Sequence, residues 1–278
     1  MLVPITDIND PRLDAYRHLK GRDPAAEQGL FIVESQLLVQ RLLTSTFELV
    51  SVLSVERQLE RLIAQVPSHV PVYVAPQAFV DSIVGFNFHR GVMALARRPD
   101  EDAMTVQRLL PGGKERCTLV ACPFINQHEN LGAIMRTSAG LAADGLIYAR
   151  RGADPFYRRT VRVSAGAVFT LPMAASLDPI ADFRRLKDDH GFALVAATLS
   201  PDAQPLAGFA QPRPPKVALV VGSEYEGVPP EVLALCDHQV IIPMHRGVDS
   251  LNVGVATAIV LDVVVLGAFV ALKVESDP

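Results

Sequence analysis

Short apolar runs alternate with helical segments from residue 117 onward, and this alternation constrains the fold more than any other feature of the sequence. Five runs are continuous enough to be buried strands, at 117–122, 145–149, 191–197, 216–221 and 239–242. Segments with helical spacing of apolar residues lie between most of them, as in βαβ units. Because strands covered on both faces read as continuous apolar runs, the pattern predicts an α/β domain with a mostly parallel sheet.

The first 98 residues show a shorter and less regular alternation, which predicts a separate small α/β domain. Its strand patterns lie at 47–54 and 70–75, and its helical patterns at 35–43 and 54–66. The polar segment that follows is interrupted by Pro99 and is typical of a linker. We therefore expect a domain of residues 1–98, a linker of residues 99–116 and a second domain of residues 117–278.

Composition and charge exclude several classes of function. The net charge of −4 gives no global attraction to nucleic acid, so a site for a polyanion must be a local patch. Cys117, Cys122 and Cys236 form no C-x-x-C pair, which predicts no metal site and favours buried thiols in a reducing compartment. The apolar segment 253–272 is long enough to be mistaken for a membrane span, but Asp262 lies near its centre. A charge at the centre of a bilayer costs about 3 kcal/mol. We expect a buried or interface helix there, in a cytoplasmic protein without a membrane span.

The first segment that carries chemistry is 126–145, just after the predicted strand at 117–122. Apolar residues at helical spacing predict a helix, with Asn130 where its cap belongs. Arg136 lies off the apolar stripe, and its neighbours one turn away are small, which leaves room for a ligand or another backbone. A solvated surface arginine is the alternative, and the helix taken alone favours it.

The second segment follows the run at 216–221, where Gly222, Glu224 and Gly227 precede the next helix. Ligands of open α/β sheets bind beyond the carboxyl ends of strands, and glycine there lets a backbone come close. A glycine turn with a solvated glutamate explains the same residues. Neither a Walker loop nor a dinucleotide fingerprint is present.

The third segment, 241–260, leaves a strand and re-enters apolar sequence through Ser250, Leu251 and Asn252. A helix cap formed by Asp249 or Ser250 explains one polar residue at this place. It explains less well why two polar residues flank a leucine beyond a second glycine loop.

Together the three segments resemble the motifs of the SpoU (TrmH-like) branch of the SPOUT RNA methyltransferases. The similarity covers about residues 117–270, and the N-terminal residues are more loosely similar to the substrate-binding domain of that family. Gly254 stands where the family commonly has serine. The residues that carry the resemblance are Asn130-x5-Arg136, Gly222-x-Glu224-x-x-Gly227, and Ile242 through Met244 to Ser250-Leu251-Asn252.

The resemblance implies a SPOUT catalytic domain whose C-terminal segment threads into a deep trefoil knot, preceded by a small ribosomal-protein-like RNA-binding α/β domain. It implies methyl transfer from S-adenosylmethionine to a ribose 2′-hydroxyl, in 23S ribosomal RNA rather than transfer RNA because of the preceding domain. It also implies a homodimer that packs through the C-terminal helix of the catalytic domain. Two alternatives stay open: a tRNA- or base-methylating SPOUT enzyme, and a non-catalytic RNA-binding or ribosome-assembly protein.

The resemblance further assigns roles to single residues. A guanidinium stays protonated and is a poor base, so Arg136 is expected to grip a phosphate and stabilise the developing alkoxide. Asn130, Ser250 and Asn252 would orient the ribose, while Glu224 would hold a loop or a substrate group. The expected cofactor-binding residues are Gly222, Glu224, Gly227, Ile242, Met244, Ser250, Leu251 and Asn252.

An arginine-rich segment, 149–162, supplies the local basic surface that RNA affinity needs. Phe156 and Tyr157 lie among its arginines, and arginines on phosphates with aromatic rings under unstacked bases are usual means of gripping RNA. A solvated charge run is the alternative. The expected RNA-binding residues are Arg150, Arg151, Arg158, Arg159 and Arg162, with a second patch at Arg90, Arg97 and Arg98.

Overall fold

A computed structural model describes residues 1–110, 115–209 and 214–266 of the chain, which forms two compact units. Unit 1 comprises Met1–Asp100 together with Asp154–Thr170, and unit 2 comprises Glu101–Ala153 and the residues from Leu171 onward. The first boundary falls at the start of the predicted linker. Residues 154–170 belong to unit 1, although the sequence pattern had placed them in the middle of the second domain.

Unit 1 contains a five-stranded sheet in the order β1-β4-β3-β5-β2. Its strands are β1 Leu2–Pro4, β2 Leu30–Glu34, β3 Leu49–Val55, β4 Val72–Ala75 and β5 Val92–Arg97. Its helices are α1 Gln36–Leu43, α2 Glu56–Ile63, α3 Gln77–Val84 and α5 Arg158–Val163. β1, β4 and β3 pair in parallel, whereas β5 is antiparallel to β3 and β2.

The segment that carries α5 is held in unit 1 by a buried ring and a buried carboxylate. Phe156 is fully buried, with its ring centroid 5.3 Å from that of Phe31 in β2. The Glu34 side chain, at the end of β2, is only 3% exposed and accepts from Arg158 at 2.8 Å and from Arg162 at 3.1 Å. A buried carboxylate requires such partners, so these two arginines are structural.

Unit 2 contains a seven-stranded sheet in the order β10-β12-β9-β11-β6-β7-β8, and each neighbouring pair is parallel. Its strands are β6 Cys117–Cys122, β7 Gly145–Ala149, β8 Met173–Ser176, β9 Ala193–Ala197, β10 Gln204–Pro205, β11 Lys216–Val221 and β12 His238–Ile241. Its helices are α4 His128–Gly140, α6 Pro179–Asp188, α7 Pro230–Leu233 and α8 Val253–Leu261. Every residue of β6 and β7 is buried, as a continuous apolar run requires. The predicted α/β fold with mostly parallel strands is confirmed.

The two helix starts near the predicted motifs differ in detail from the sequence prediction. The N-cap residue of α4 is Gln127, and Asn130 lies inside the first turn, so the predicted cap is wrong. The N-cap of α8 is Asn252, whose side chain accepts from the Gly254 N–H, and not Asp249 or Ser250.

The predicted long apolar helix at 253–272 is described only in its first part. α8 continues as a short π-helical turn, Asp262–Leu266, and the rest of that prediction lies outside the described residues. Within the ranges that the structure describes, no helix has the length and apolar character needed to cross a membrane.

Candidate functional site

A cavity of about 490 Å³ opens beyond the carboxyl ends of β9, β11 and β12. These strands are neighbours in the sheet, with β9 between the other two. The cavity is lined by residues 197–200 after β9, by residues 221–228 after β11, and by Ile242, Met244, Ser250 and Leu251 after β12. This is where ligands of open parallel sheets bind.

The loop after β11 is a tight turn that requires glycine. Ser223 and Gly227 exchange two backbone hydrogen bonds, of 3.1 and 3.0 Å, and Gly227 has a φ of +66°. A Cβ on Gly222 would lie 2.0 Å from the carbonyl carbon of Gly227, so no other residue fits there. The turn therefore holds Glu224 in a fixed position on the wall of the cavity.

One amide joins the three predicted motifs. The Nδ2 of Asn252 donates to Oδ1 of Asn130 at 2.9 Å and to Oε1 of Glu224 at 2.8 Å. Its Oδ1 accepts from the Gly254 N–H at 2.9 Å. Both N–H groups of this amide are thus engaged within the protein, because a carboxamide has only two. Asn252 orients other protein groups, and it reaches the cavity only through Glu224.

Gln127 extends this network and was not anticipated from the sequence. Its Oε1 accepts from Nδ2 of Asn130 at 3.1 Å, which turns the Asn130 oxygen toward Asn252. The only sequence signal was another amide three positions before Asn130. The pairing becomes recognisable only once the helix is known to begin between them.

Close packing of α4 and α8 brings Asn130 and Asn252 together. A Cβ on Gly254 would lie 2.7 Å from the Cβ of Ala133, and Thr137 Oγ1 donates to the Gly254 carbonyl at 3.5 Å. Ala133, one of the small residues near Arg136, thus accommodates another backbone, which is one of the two uses expected for these residues. Glycine at position 254 follows from this approach, since a serine there would push the helices apart.

The predicted catalytic residues do not all meet at the cavity. Glu224 and Ser250 line it. Asn130 and Asn252 do not line it; Asn252 donates hydrogen bonds to Glu224 and to Asn130. Arg136 is exposed on α4, and within the described part of the chain it neither lines the cavity nor forms a hydrogen bond or ion pair. All the predicted cofactor-binding residues except Asn252 line the cavity.

The predicted RNA-binding arginines fall into two groups. Arg158 and Arg162 bind Glu34, and Arg150 donates to Asp102 at 2.6 Å, a hydrogen bond that raises the pKa of Arg150. Arg151 and Arg159 are exposed. The basic surface of this segment is therefore smaller than the sequence pattern indicated.

Two other parts of the RNA-binding prediction also meet internal partners. Phe156 is fully buried among phenylalanine rings, so its proposed use as a base-stacking ring is wrong. In the second patch, Arg97 donates to Glu48 at 2.8 Å and Arg98 to Asp154 at 2.6 Å.

The thiols take no part in the site. Burial raises the pKa of Cys122, at the end of β6, to about 12, and burial likewise raises that of Cys236 to about 12. Both are neutral at physiological pH and are poor nucleophiles. Among the described residues, no group of three or more His, Cys, Asp and Glu side chains could hold a metal ion.

Comparison with known proteins places these features in one family. The sequence profile of the SpoU rRNA Methylase family matches residues 118–262. An uncharacterized tRNA/rRNA methyltransferase of Mycobacterium bovis is 36% identical over 261 residues, covering 92% of this chain and 88% of that protein. An AdoMet-bound rRNA methyltransferase from Sinorhizobium meliloti is 25% identical with a TM-score of 0.79, over 94% of this chain and 96% of the other. An RNA 2′-O ribose methyltransferase is 28% identical with a TM-score of 0.73 over the same shares.

Proposed function

Because the chain belongs to the SpoU rRNA Methylase family of RNA methyltransferases, we propose that it is a cytoplasmic ribose 2′-O-methyltransferase that acts on 23S ribosomal RNA. S-adenosylmethionine is the methyl donor of this family and of this chain. The observation that carries the proposal is the Asn130–Asn252–Glu224 network, which joins all three motifs at one cavity. The similarity to an RNA 2′-O ribose methyltransferase over 94% of this chain supports the ribose as the acceptor.

The residues of the cavity fit S-adenosylmethionine. The cavity volume of about 490 Å³ lies within the range of small-molecule sites, roughly 300–1,000 Å³. Val221, Val228 and Val240 give it an apolar floor, and the close turn at Gly222 leaves backbone groups at the wall. The backbone at Gly222, Ile242 and Leu251 would hold the adenosine and methionine parts.

The proposal includes the knot of this family. The loops after β11 and β12 line one cavity, and the chain then enters α8, which packs on α4. We take this return of the chain as the segment that threads the knot.

The bound donor supplies a methyl group on a sulfonium, which is already activated toward an oxygen nucleophile. The protein then has to position the ribose and stabilise charge on its oxygen. Glu224 Oε1 is engaged by Asn252, which leaves Oε2 to accept a hydrogen bond from a substrate hydroxyl. Ser250, exposed on the rim, offers a second polar contact to the ribose.

Arg136 contacts the RNA in this proposal. Its side chain is exposed and has no internal partner among the described residues, so it is free to bind a phosphate. The guanidinium keeps its charge and stabilises the alkoxide, while the phosphate or a water molecule takes the proton.

The proposed assembly is a homodimer that packs through the C-terminal helix. Val255 in α8 is 49% exposed even though its helix is almost wholly apolar. An exposed apolar side chain on such a helix suits contact with the same helix of a second copy.

Methyl incorporation from labelled S-adenosylmethionine tests the function. We expect label in unmodified 23S ribosomal RNA, little in transfer RNA, and loss of incorporation in Arg136→Ala. Arg184→Ala is the matched control, since Arg184 is exposed on α6 and lies outside the cavity. Label in transfer RNA alone would overturn the substrate, and equal rates for the two variants would remove Arg136 from the reaction. Without cofactor binding or incorporation, the RNA-binding or assembly protein would be the better account.

A further inference from the structure

Tyr225 is the most exposed aromatic residue of the described chain. The residue is 89% exposed and lines the mouth of the cavity. Tyr16, Tyr73 and Tyr148 are buried, and Tyr157 is half-buried. One large ring is therefore presented to solvent beside the site where methyl transfer would occur.

The backbone that carries this ring is fixed on both sides. Tyr225 lies at the tip of the turn closed by the Ser223–Gly227 hydrogen bonds, and the Glu226 N–H donates to Ser223 Oγ at 3.1 Å. The preceding residue, Glu224, is held by Asn252. A tyrosine on a rigid turn has only two side-chain torsions to order, so contact with a ligand costs little conformational entropy.

An RNA base is the partner that this placement suits, an inference that rests on the proposed function. A ribose can reach the donor only if its nucleotide comes to the mouth of the cavity, and its base or a neighbouring base then lies near the rim. RNA recognition relies on unpaired bases that stack on aromatic side chains. We propose that Tyr225 stacks on an unpaired nucleobase at or beside the methylated nucleotide.

The same placement separates the Tyr225 ring from the buried apolar floor of the cavity. The floor of the cavity is formed by buried residues such as Val221, Val228 and Val240, whereas the Tyr225 ring is open to solvent. A ring that mainly covered the donor would be expected to lie against this floor. Tyr225 thus contributes to RNA binding and does not take part in the chemistry.

The absence of tryptophan from the sequence provides a sharp test. Tyr225→Trp places a single indole at the tip of the turn, and its emission reports stacking without any need for catalysis. The probe is a single-stranded RNA of about ten nucleotides, a length typical of single-strand sites, compared with an abasic RNA of equal length. Leu177→Trp is the matched control, because Leu177 is 70% exposed and follows β8, at the opposite edge of the sheet.

We expect the RNA with bases to quench Tyr225→Trp, and neither the abasic RNA nor the Leu177→Trp protein to show this quenching. Tyr225→Ala should weaken RNA binding about tenfold, as the loss of one stacked base does, while Tyr225→Phe should retain the affinity. Quenching by abasic RNA, equal quenching of both indoles, or parental RNA affinity in Tyr225→Ala would overturn the inference. So would a rise in the S-adenosylmethionine Kd larger than the rise in the RNA Kd.

The two proposals fail in different experiments. If the parent protein methylates RNA but RNA leaves the indole emission unchanged, the stacking inference is wrong and the function stands. If the parent transfers no methyl group, the function is wrong, and the fluorescence titration still decides whether Tyr225 binds a base.

Discussion

The contact between α4 and α8 at Gly254 gives a prediction of definite size. In Gly254→Ala the new Cβ would lie 2.7 Å from the Cβ of Ala133, well inside van der Waals contact. Overpacking of this kind costs about 1–3 kcal/mol, and the better helix propensity of alanine returns at most about 1 kcal/mol. A loss of about 2 kcal/mol, the middle of the first range, less a gain of up to about 1 kcal/mol, gives an expected decrease in the free energy of unfolding of about 1–2 kcal/mol for Gly254→Ala.

The same substitution should impair the site, because helices that move apart stretch the Asn130–Asn252 hydrogen bond. Urea unfolding followed by circular dichroism measures the stability, and methyl incorporation measures the activity. Ala133→Gly removes the opposing methyl group, so the double variant Ala133→Gly/Gly254→Ala should recover about 1 kcal/mol or more relative to the sum of the single changes. Gly140→Ala is the control, since a Cβ at Gly140 meets nothing within 4 Å. If Gly254→Ala were as stable as the parent, or if the two changes were additive, the packing argument would be refuted.

Two further predictions concern buried groups. Glu34→Ala leaves Arg158 and Arg162 without their carboxylate and should lower the free energy of unfolding by about 3 kcal/mol. The control Glu48→Ala breaks an exposed pair and should leave the urea midpoint unchanged. Similar midpoints for both variants would contradict the structural role of Glu34. The pKa values of Cys122 and Cys236 are raised to about 12 in the folded protein. The unfolded chain therefore loses these thiol protons first, as pH rises past about 9, and the free energy of unfolding should fall between about pH 9 and 12. Ellman's reagent at pH 8 should then react slowly with the folded protein and fast after unfolding in guanidinium; rapid labelling of the folded chain would contradict this.

The sequence predicted well those features that depend on local pattern. The strands at 117–122, 145–149 and 216–221 coincide with β6, β7 and β11, because buried parallel strands are continuous apolar runs. Gly222 was recognisable because a glycine at a strand end signals a close backbone approach, and in the structure a Cβ on Gly222 would lie 2.0 Å from the carbonyl carbon of Gly227.

Features that depend on contacts between distant segments were not predictable. Glu34 and Arg158 are separated by 124 positions, and nothing near either residue indicates that they pair. The charge run at 149–162 therefore read as a free basic surface, and Phe156 as an accessible ring. The order of β12, β9 and β11 in the sheet, which creates the cavity, is likewise a property of the whole chain.

The helix caps and the amide network were predictable only in part. Several polar residues near each helix start could serve as the cap, and the choice of Asn252 depends on its partners Asn130 and Glu224. Local propensity alone favours serine, aspartate and asparagine nearly equally at such positions.

The most direct test of the central claim is the position of the transferred methyl group. Unmodified 23S ribosomal RNA is treated with the protein and S-adenosylmethionine carrying a deuterated methyl, then digested to nucleosides and analysed by mass spectrometry. The account predicts that the label stays with the ribose fragment of a single type of 2′-O-methylnucleoside. Label on a base fragment would contradict ribose methylation, even if the RNA, the cofactor and the cavity were all as described.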